Sequence, residues 1–333
     1  MTTINRRDFV RYAGASLALP SAVLAQGKRA VAGLFAGRID DRGFMQAGYE
    51  GLVQARDSLA VEIAFTQGIQ PQKDLLAAAL RDLAQKGPAI VIAHGGQNNE
   101  AAKLVAAEFP DVNFAVTQGN ATGANLASYE VLQEQSAFLA GALAALTTKT
   151  GVVGHMSGIR VTPGLKGRAG FLHGVAHINP AVRVLTNFSG NQDDNALSHK
   201  VAKAMIDQKA DVIFTMLNAG REGAIVACRE GGIKQIGNVG DWVKRVPDVF
   251  IASAFADVGR AVFMAAQDAA RGTFKGQTLR QIGVEEADAV RLIIADWVAM
   301  PVRDRIAALT KDIASGAVKV PHEWSGAEFP NPA

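Results

Sequence analysis

A single cysteine, Cys228, stands in a chain of 333 residues. One thiol cannot form an intrachain disulfide, so no covalent staple holds this fold. Its Ala-Cys-Arg context on an apparent helix reads as a small buried residue rather than a reactive thiol. No loop ends in Gly-Lys-Ser/Thr, no strand leads into Gly-x-Gly-x-x-Gly, and no Gly-x-Ser-x-Gly elbow occurs. The familiar phosphate-cradling, dinucleotide-binding and serine-hydrolase signatures are therefore missing. No basic run points to nucleic acid. His173 and His177 lie four apart on an expected helix, but without the intervening Glu of a zinc hydrolase they read as structural. The sequence calls for no metal, no cofactor and no catalytic residue, and a non-enzymatic function is expected.

The N-terminus is informative in what it does contain. Residues 4–11 read Ile-Asn-Arg-Arg-Asp-Phe-Val-Arg, and an uncharged, mildly apolar stretch follows over 12–24. That stretch ends in Val23-Leu24-Ala25, a small-x-small cleavage pattern. It is shorter than the ~20 apolar residues that a membrane span needs. The order basic, apolar, small is that of a twin-arginine export signal over 1–25. No cysteine follows Ala25, so a lipid anchor is not expected and the mature chain should be free in the periplasm. The net charge of +3 is then partly a targeting feature. Arg6, Arg7 and Arg11 against Asp8 place +2 in the first 25 residues, which leaves +1 for the rest.

The remaining ~300 residues exceed what a single core usually holds. Apolar runs over 29–36, 61–65, 89–93 and 112–116 read as strands, alternating with helices over 43–58, 72–85 and 98–108. The pattern restarts after a break at 119–123. Helices are expected over 134–146, 166–177, 195–208 and 221–230, with strands at 151–154, 182–188, 211–215 and 233–236. Continuous apolar strands alternating with helices predict an α/β fold of two doubly wound lobes with parallel sheets. The first lobe is expected from 28–127 with 253–283, the second from 128–252 with 284–333. Ligands of such sheets sit beyond the carboxyl ends of the strands. The segments to search are thus 36–44, 93–98, 117–123, 156–163, 189–195, 216–222 and 238–242.

Five stretches carry a family resemblance. They are the loop Ile39-Asp40-Asp41-Arg42-Gly43-Phe44-Met45-Gln46, the run 134–141 followed by 147–154, the run 169–175, the run 210–214, and Ile236-Gly237-Asn238-Val239-Gly240-Asp241. In this order and spacing they resemble the basic membrane protein (BMP) family of substrate-binding proteins, whose best-understood members bind purine nucleosides. The resemblance implies the type I periplasmic binding fold, two Rossmann-like lobes joined by three crossovers and a hinge. It also implies a small-molecule ligand, an ABC permease of the inner membrane as partner, and a monomer.

The resemblance assigns site residues. Phe44 matches the loop phenylalanine that stacks on the base, and Asp41 either contacts ligand or caps the helix that follows. Asp241 matches the acidic residue that receives ribose hydroxyls. Gln97, Phe171 and Asn218 complete the expected set with Gln118 and Trp242. The chain departs from the family at several of these places. Gln118 stands for a strand-end aspartate, Met45 for an asparagine and Trp242 for a glutamine. Gln192 lies near the place of a second aromatic, and Ser253-Ala254-Phe255-Ala256 lacks a lysine. Trp242 beside Asp241 is expected to fill the space of a ribose and to supply a second stacking face. Gln118 would offer both a donor and an acceptor. A free nucleobase or related heteroaromatic is therefore expected, with a nucleoside as the alternative. An enzyme and a ligand-responsive transcription regulator on the same scaffold are the remaining readings.

Overall fold

The computed structural model describes residues 30–332. The signal expected over 1–25 lies outside the described residues. The first sheet begins with β1 (Ala30–Phe35), β2 (Glu62–Gln67), β3 (Ile90–His94), β4 (Asn113–Thr117) and β5 (Leu126–Val131). Helices α1 (Phe44–Leu59), α2 (Lys73–Ala84) and α3 (Asn99–Glu108) connect the first four of these strands. After α4 (Gln133–Thr147) the second sheet follows with β6 (Val152–Ser157), β7 (Arg183–Phe188), β8 (Val212–Met216), β9 (Lys234–Val239) and β10 (Phe250–Ala256). Between them lie α5 (Thr162–Ile178), α6 (Asn195–Asp207), α7 (Arg221–Glu230) and the short α8 (Trp242–Arg245). The chain ends with α9 (Val258–Arg271), β11 (Leu279–Ile282), β12 (Val290–Ile294) and α10 (Met300–Ala314).

The sheet orders are β11-β5-β4-β3-β1-β2 and β12-β10-β9-β8-β6-β7. Every pairing in the first sheet is parallel, and in the second only β10 with β12 is antiparallel. The parallel geometry follows from strands that are apolar on both faces. All five residues of β3 are buried, which requires helices on each side of the sheet. Two lobes result, and the chain passes between them at 131–133, 256–258 and 282–290. The first two passages come later than the expected 127 and 252. The strand β5 runs on to Val131, and β10 belongs to the second sheet. Both shifts have one cause: Ser128, Glu130 and Ser253 are buried polar residues that mask the strands in the sequence.

Helix α4 packs along α5, and glycine sets how close they come. A Cβ on Gly141 would lie 2.0 Å from the Phe171 carbonyl oxygen, and one on Gly174 equally close to that of Phe138. The glycines thus let the two backbones touch. Helix α5 starts at Thr162, a turn before the expected 166, with Pro163 in its first turn, where a missing N–H has no helical partner to lose. Among the described residues no helix is long and apolar enough to cross a membrane.

Candidate functional site

The two lobes face each other with the carboxyl ends of their strands. A narrow cavity of about 60 Å³ lies there, lined by Phe44 and Met45 at the start of α1, Gln97 after β3 and Gln133 after β5. The other lobe adds Ser157, Gly158, Ile159 and Val161 after β6, Pro163 and Gly164 of α5, Gln192, Met216, Asn218 and Asn238. No ionisable side chain belongs to this lining. A wider cleft of about 720 Å³ runs on the other side of the Arg42–Gly43 turn, and it is charged, with Arg42, Glu50, Asp241, Lys244, Arg245 and Asp257 in its walls. The two spaces differ in chemistry, and of the expected site residues three line the first and Asp241 borders the second.

Phe44, Gln97 and Asn218 line the narrow cavity. The Phe44 ring stacks on His94, with centroids 4.2 Å apart and planes 24° from parallel. His94 is held from both sides. Its Nε2 lies 2.9 Å from the Phe44 carbonyl oxygen and its Nδ1 2.7 Å from the Thr117 hydroxyl. A carbonyl only accepts, so Nε2–H donates to it and Nδ1 accepts from Thr117. Burial pushes the His94 pKa down to about 4, and the ring is neutral. One face of Phe44 is thereby fixed against His94. Asn218 adds a second fixing contact, its Oδ1 accepting the Phe44 backbone N–H at 3.3 Å.

Asp41 is buried and points into its own helix. Its carboxylate accepts the backbone N–H groups of Gly43, Met45 and Gln46 at 2.8, 3.0 and 3.1 Å. Burial raises its pKa and the three donors oppose that rise. Of the two readings open for Asp41, the capping one describes its contacts.

Four expected residues face elsewhere. Gln118, at a left-handed φ of 55°, donates from Nε2 to the Val131 carbonyl at 2.9 Å and accepts the Val131 N–H at 2.6 Å. Both ends of its amide serve the β4–β5 pair. Phe171 is 0% exposed and stacks on Phe214 at 5.1 Å in the core of the second lobe. Trp242 is buried with its indole N–H on the Asn238 carbonyl, and the guanidiniums of Arg221 and Arg245 lie over its ring at 4.4 and 5.0 Å. It packs the wall behind the cavity rather than offering a free stacking face. Asp241 caps α8 through the Lys244 N–H at 3.0 Å and borders the wide charged cleft.

Sequence reasoning did not single out Ser157, Ile159, Met216, Gln133 or Asn238 as contacts. Four of them fall in the strand-end segments to be searched, so the rule of carboxyl ends contains the signal that composition does not. Asn238 precedes a strained turn. Val239 has φ 64°, and the Gly240 N–H reaches back to the Asn238 carbonyl at 2.8 Å, a γ-turn that a β-branched residue adopts at a cost. Behind it Arg221 is fully buried. It donates to the Thr215 carbonyl at 2.9 Å and hydroxyl at 2.8 Å, and to Leu217 and Asn238. Among the described residues no carboxylate lies within ion-pair distance of it, although the Asp41 charge acts on it from further away, and its Nε has no partner. Burial, with Arg245 adding repulsion, pushes its pKa down to about 9, which still leaves it charged at neutral pH.

Residues 28–323 match the Bmp family, described as ABC transporter substrate-binding protein PnrA-like. The chain is 26% identical over 243 residues, 73% of its length and 75% of the relative's, to the transcriptional activator protein med of Bacillus subtilis. It is 26% identical over 219 residues, 66% of its length and 62% of the relative's, to a purine-binding protein of Brucella abortus. The fold is similar to that of a solute-binding protein of an ABC transporter system from Aeropyrum pernix, with TM-score 0.78, 21% identity, and coverage of 89% of this chain and 94% of that one.

Proposed function

From the premise that this chain belongs to the Bmp family of PnrA-like ABC transporter substrate-binding proteins, we propose that it is the periplasmic receptor of an importer and takes a nucleobase or related small heteroaromatic. The observation that carries this reading is the narrow cavity with Phe44 as its one aromatic wall and no charged group in its lining. A flat neutral ring gains stacking worth ~0.5–1.5 kcal/mol beyond area burial, and side-chain amides at its edge set specificity. The acid expected to read a ribose, Asp241, borders a different cleft, which favours the free base over the nucleoside. The Brucella abortus relative is named a purine-binding protein, which agrees with this reading. The remaining parts of the reading are export through the twin-arginine route, the absence of a lipid anchor, a monomeric state and delivery to an inner-membrane permease.

Mass spectrometry of small molecules released from denatured, purified protein tests it. A free purine or pyrimidine base is expected. A sugar or an amino acid as the only released species would overturn the reading, and a nucleoside would support the alternative receptor of the same family. Product formation on incubation with bases or nucleosides would favour an enzyme instead.

A further inference from the structure

Three amide donors in the cavity wall are left unused. The Oδ1 of Asn238 accepts from Arg221, and a guanidinium can only donate, so the orientation of this amide is fixed and its Nδ2 is left over. The Oδ1 of Asn218 accepts the Phe44 N–H, which likewise leaves Nδ2. Gln133 is 5% exposed, lines the cavity, and its buried Nε2 has no partner at all. An unpaired buried amide N–H costs about 1–3 kcal/mol, so these groups favour a ligand that supplies acceptors. Gln97 is the counterpart. Its Nε2 contacts the His94 carbonyl at 3.4 Å, and its Oε1 is left to accept. The charge of Arg221 acts in the same sense. Its guanidinium donates to Asn238 and polarises that amide, which strengthens the remaining N–H as a donor.

We propose that the cavity selects uncharged heterocycles bearing ring carbonyls, with a lactam edge, over their amino-substituted counterparts. The inference rests on the heteroaromatic reading given above and names the substrate class within it. A lactam presents C=O beside N–H. The carbonyl meets the leftover amide donors of Asn238, Asn218 and Gln133, and the ring N–H meets Gln97. An amino-substituted ring presents N–H₂ where donors already converge, and it leaves those donors buried and unpaired.

Hypoxanthine and adenine separate the two cases, because they share one ring system and differ at a carbonyl and an amino group. Isothermal titration of the full chain with each base is expected to show hypoxanthine bound at least tenfold tighter. Equal affinity, or adenine bound tighter, overturns the inference while leaving the heteroaromatic reading intact. Failure of both bases to bind at millimolar concentration overturns that reading and the inference with it. The variant Asn238→Asp puts an acceptor where Nδ2 stood and pairs with Arg221. Its preference should swing towards adenine by tenfold or more, and an unchanged ratio would overturn the assignment.

Discussion

The Oδ1 of Asn218 accepts the backbone N–H of Phe44 at 3.3 Å, and this bond joins the loop after β8 in one lobe to the first turn of α1 in the other. It exists only while the lobes are together. A ligand that touches Phe44 on one side and Asn218 on the other stabilises the same closed arrangement. Asn218→Ala removes both the bond between lobes and one ligand donor. Affinity for a bound base is expected to fall about tenfold, from roughly one hydrogen bond of ~1 kcal/mol and a looser closed state. Small-angle scattering is expected to show a smaller radius of gyration for wild type with saturating base. An unchanged radius would contradict closure.

Phe44 carries the second prediction. With one face on His94, it acts as a fixed plate. Phe44→Ala removes the stacking contact and buried area, about 1–3 kcal/mol in binding. Every base should weaken by a similar factor, between about fivefold and a hundredfold, with the ranking among bases kept. A change of ranking in titrations would show that Phe44 reads the edge rather than the face.

Two buried histidines make stability depend on pH. Burial lowers the pKa of His94 to about 4, and burial with Arg168 nearby lowers that of His155 to about 3, from 6.5. The unfolded chain binds more protons in this window. The stabilisation is full above pH 6.5 and is lost as the pH falls towards the folded values. At about pH 5 each histidine accounts for a loss of about 2 kcal/mol. The buried carboxyls of Asp41 and Glu134, held above their ordinary values first by burial, act in the opposite sense. Urea unfolding at about pH 7.5 and about pH 5 checks the sum. His94→Asn, which does not titrate, should reduce the difference by about 2 kcal/mol. An undiminished difference would contradict the assignment.

Lys166 joins the lobes from α5. Its ammonium bonds Glu130 of β5 and lies 3.5 Å from Glu134 at the head of α4, and Gln281 of β11 donates to the second Glu130 oxygen at 2.9 Å. All three ion-pair members are largely buried. Removing the one cation leaves two carboxylates facing each other without compensation, which in buried pairs costs about 3–5 kcal/mol. Lys166→Met should lower the unfolding free energy by that amount at neutral pH and by much less in acid. A change under ~1 kcal/mol would mean that water reaches the cluster freely.

The alternation of apolar strands and helices made the lobes legible in the sequence, because runs such as Ile90–Ala93 cannot be read as half-exposed. The strands β5 and β10 were harder. They carry Ser128, Glu130 and Ser253 inside the protein, each satisfied by a hydrogen-bond partner that the alternation of apolar residues does not reveal. The Ser253 hydroxyl, for example, receives the N–H groups of Trp242 and Val243. The site was legible as a set of strand-end segments and, within them, Phe44, Gln97 and Asn218 reach the cavity. Gln118 and Trp242 did not follow, since nothing local in the sequence tells an amide that reads a ligand from one that bonds Val131. The same holds for an indole: a free stacking face and one covered by Arg221 look alike in sequence.

Whether the uncharged cavity takes a free heterocyclic base is decided by titrating the full chain with hypoxanthine and with inosine. The cavity has no carboxylate to receive ribose hydroxyls. The base is therefore predicted to bind at least tenfold tighter than its nucleoside, ~1.4 kcal/mol in its favour. Inosine binding tenfold tighter than hypoxanthine would contradict the account.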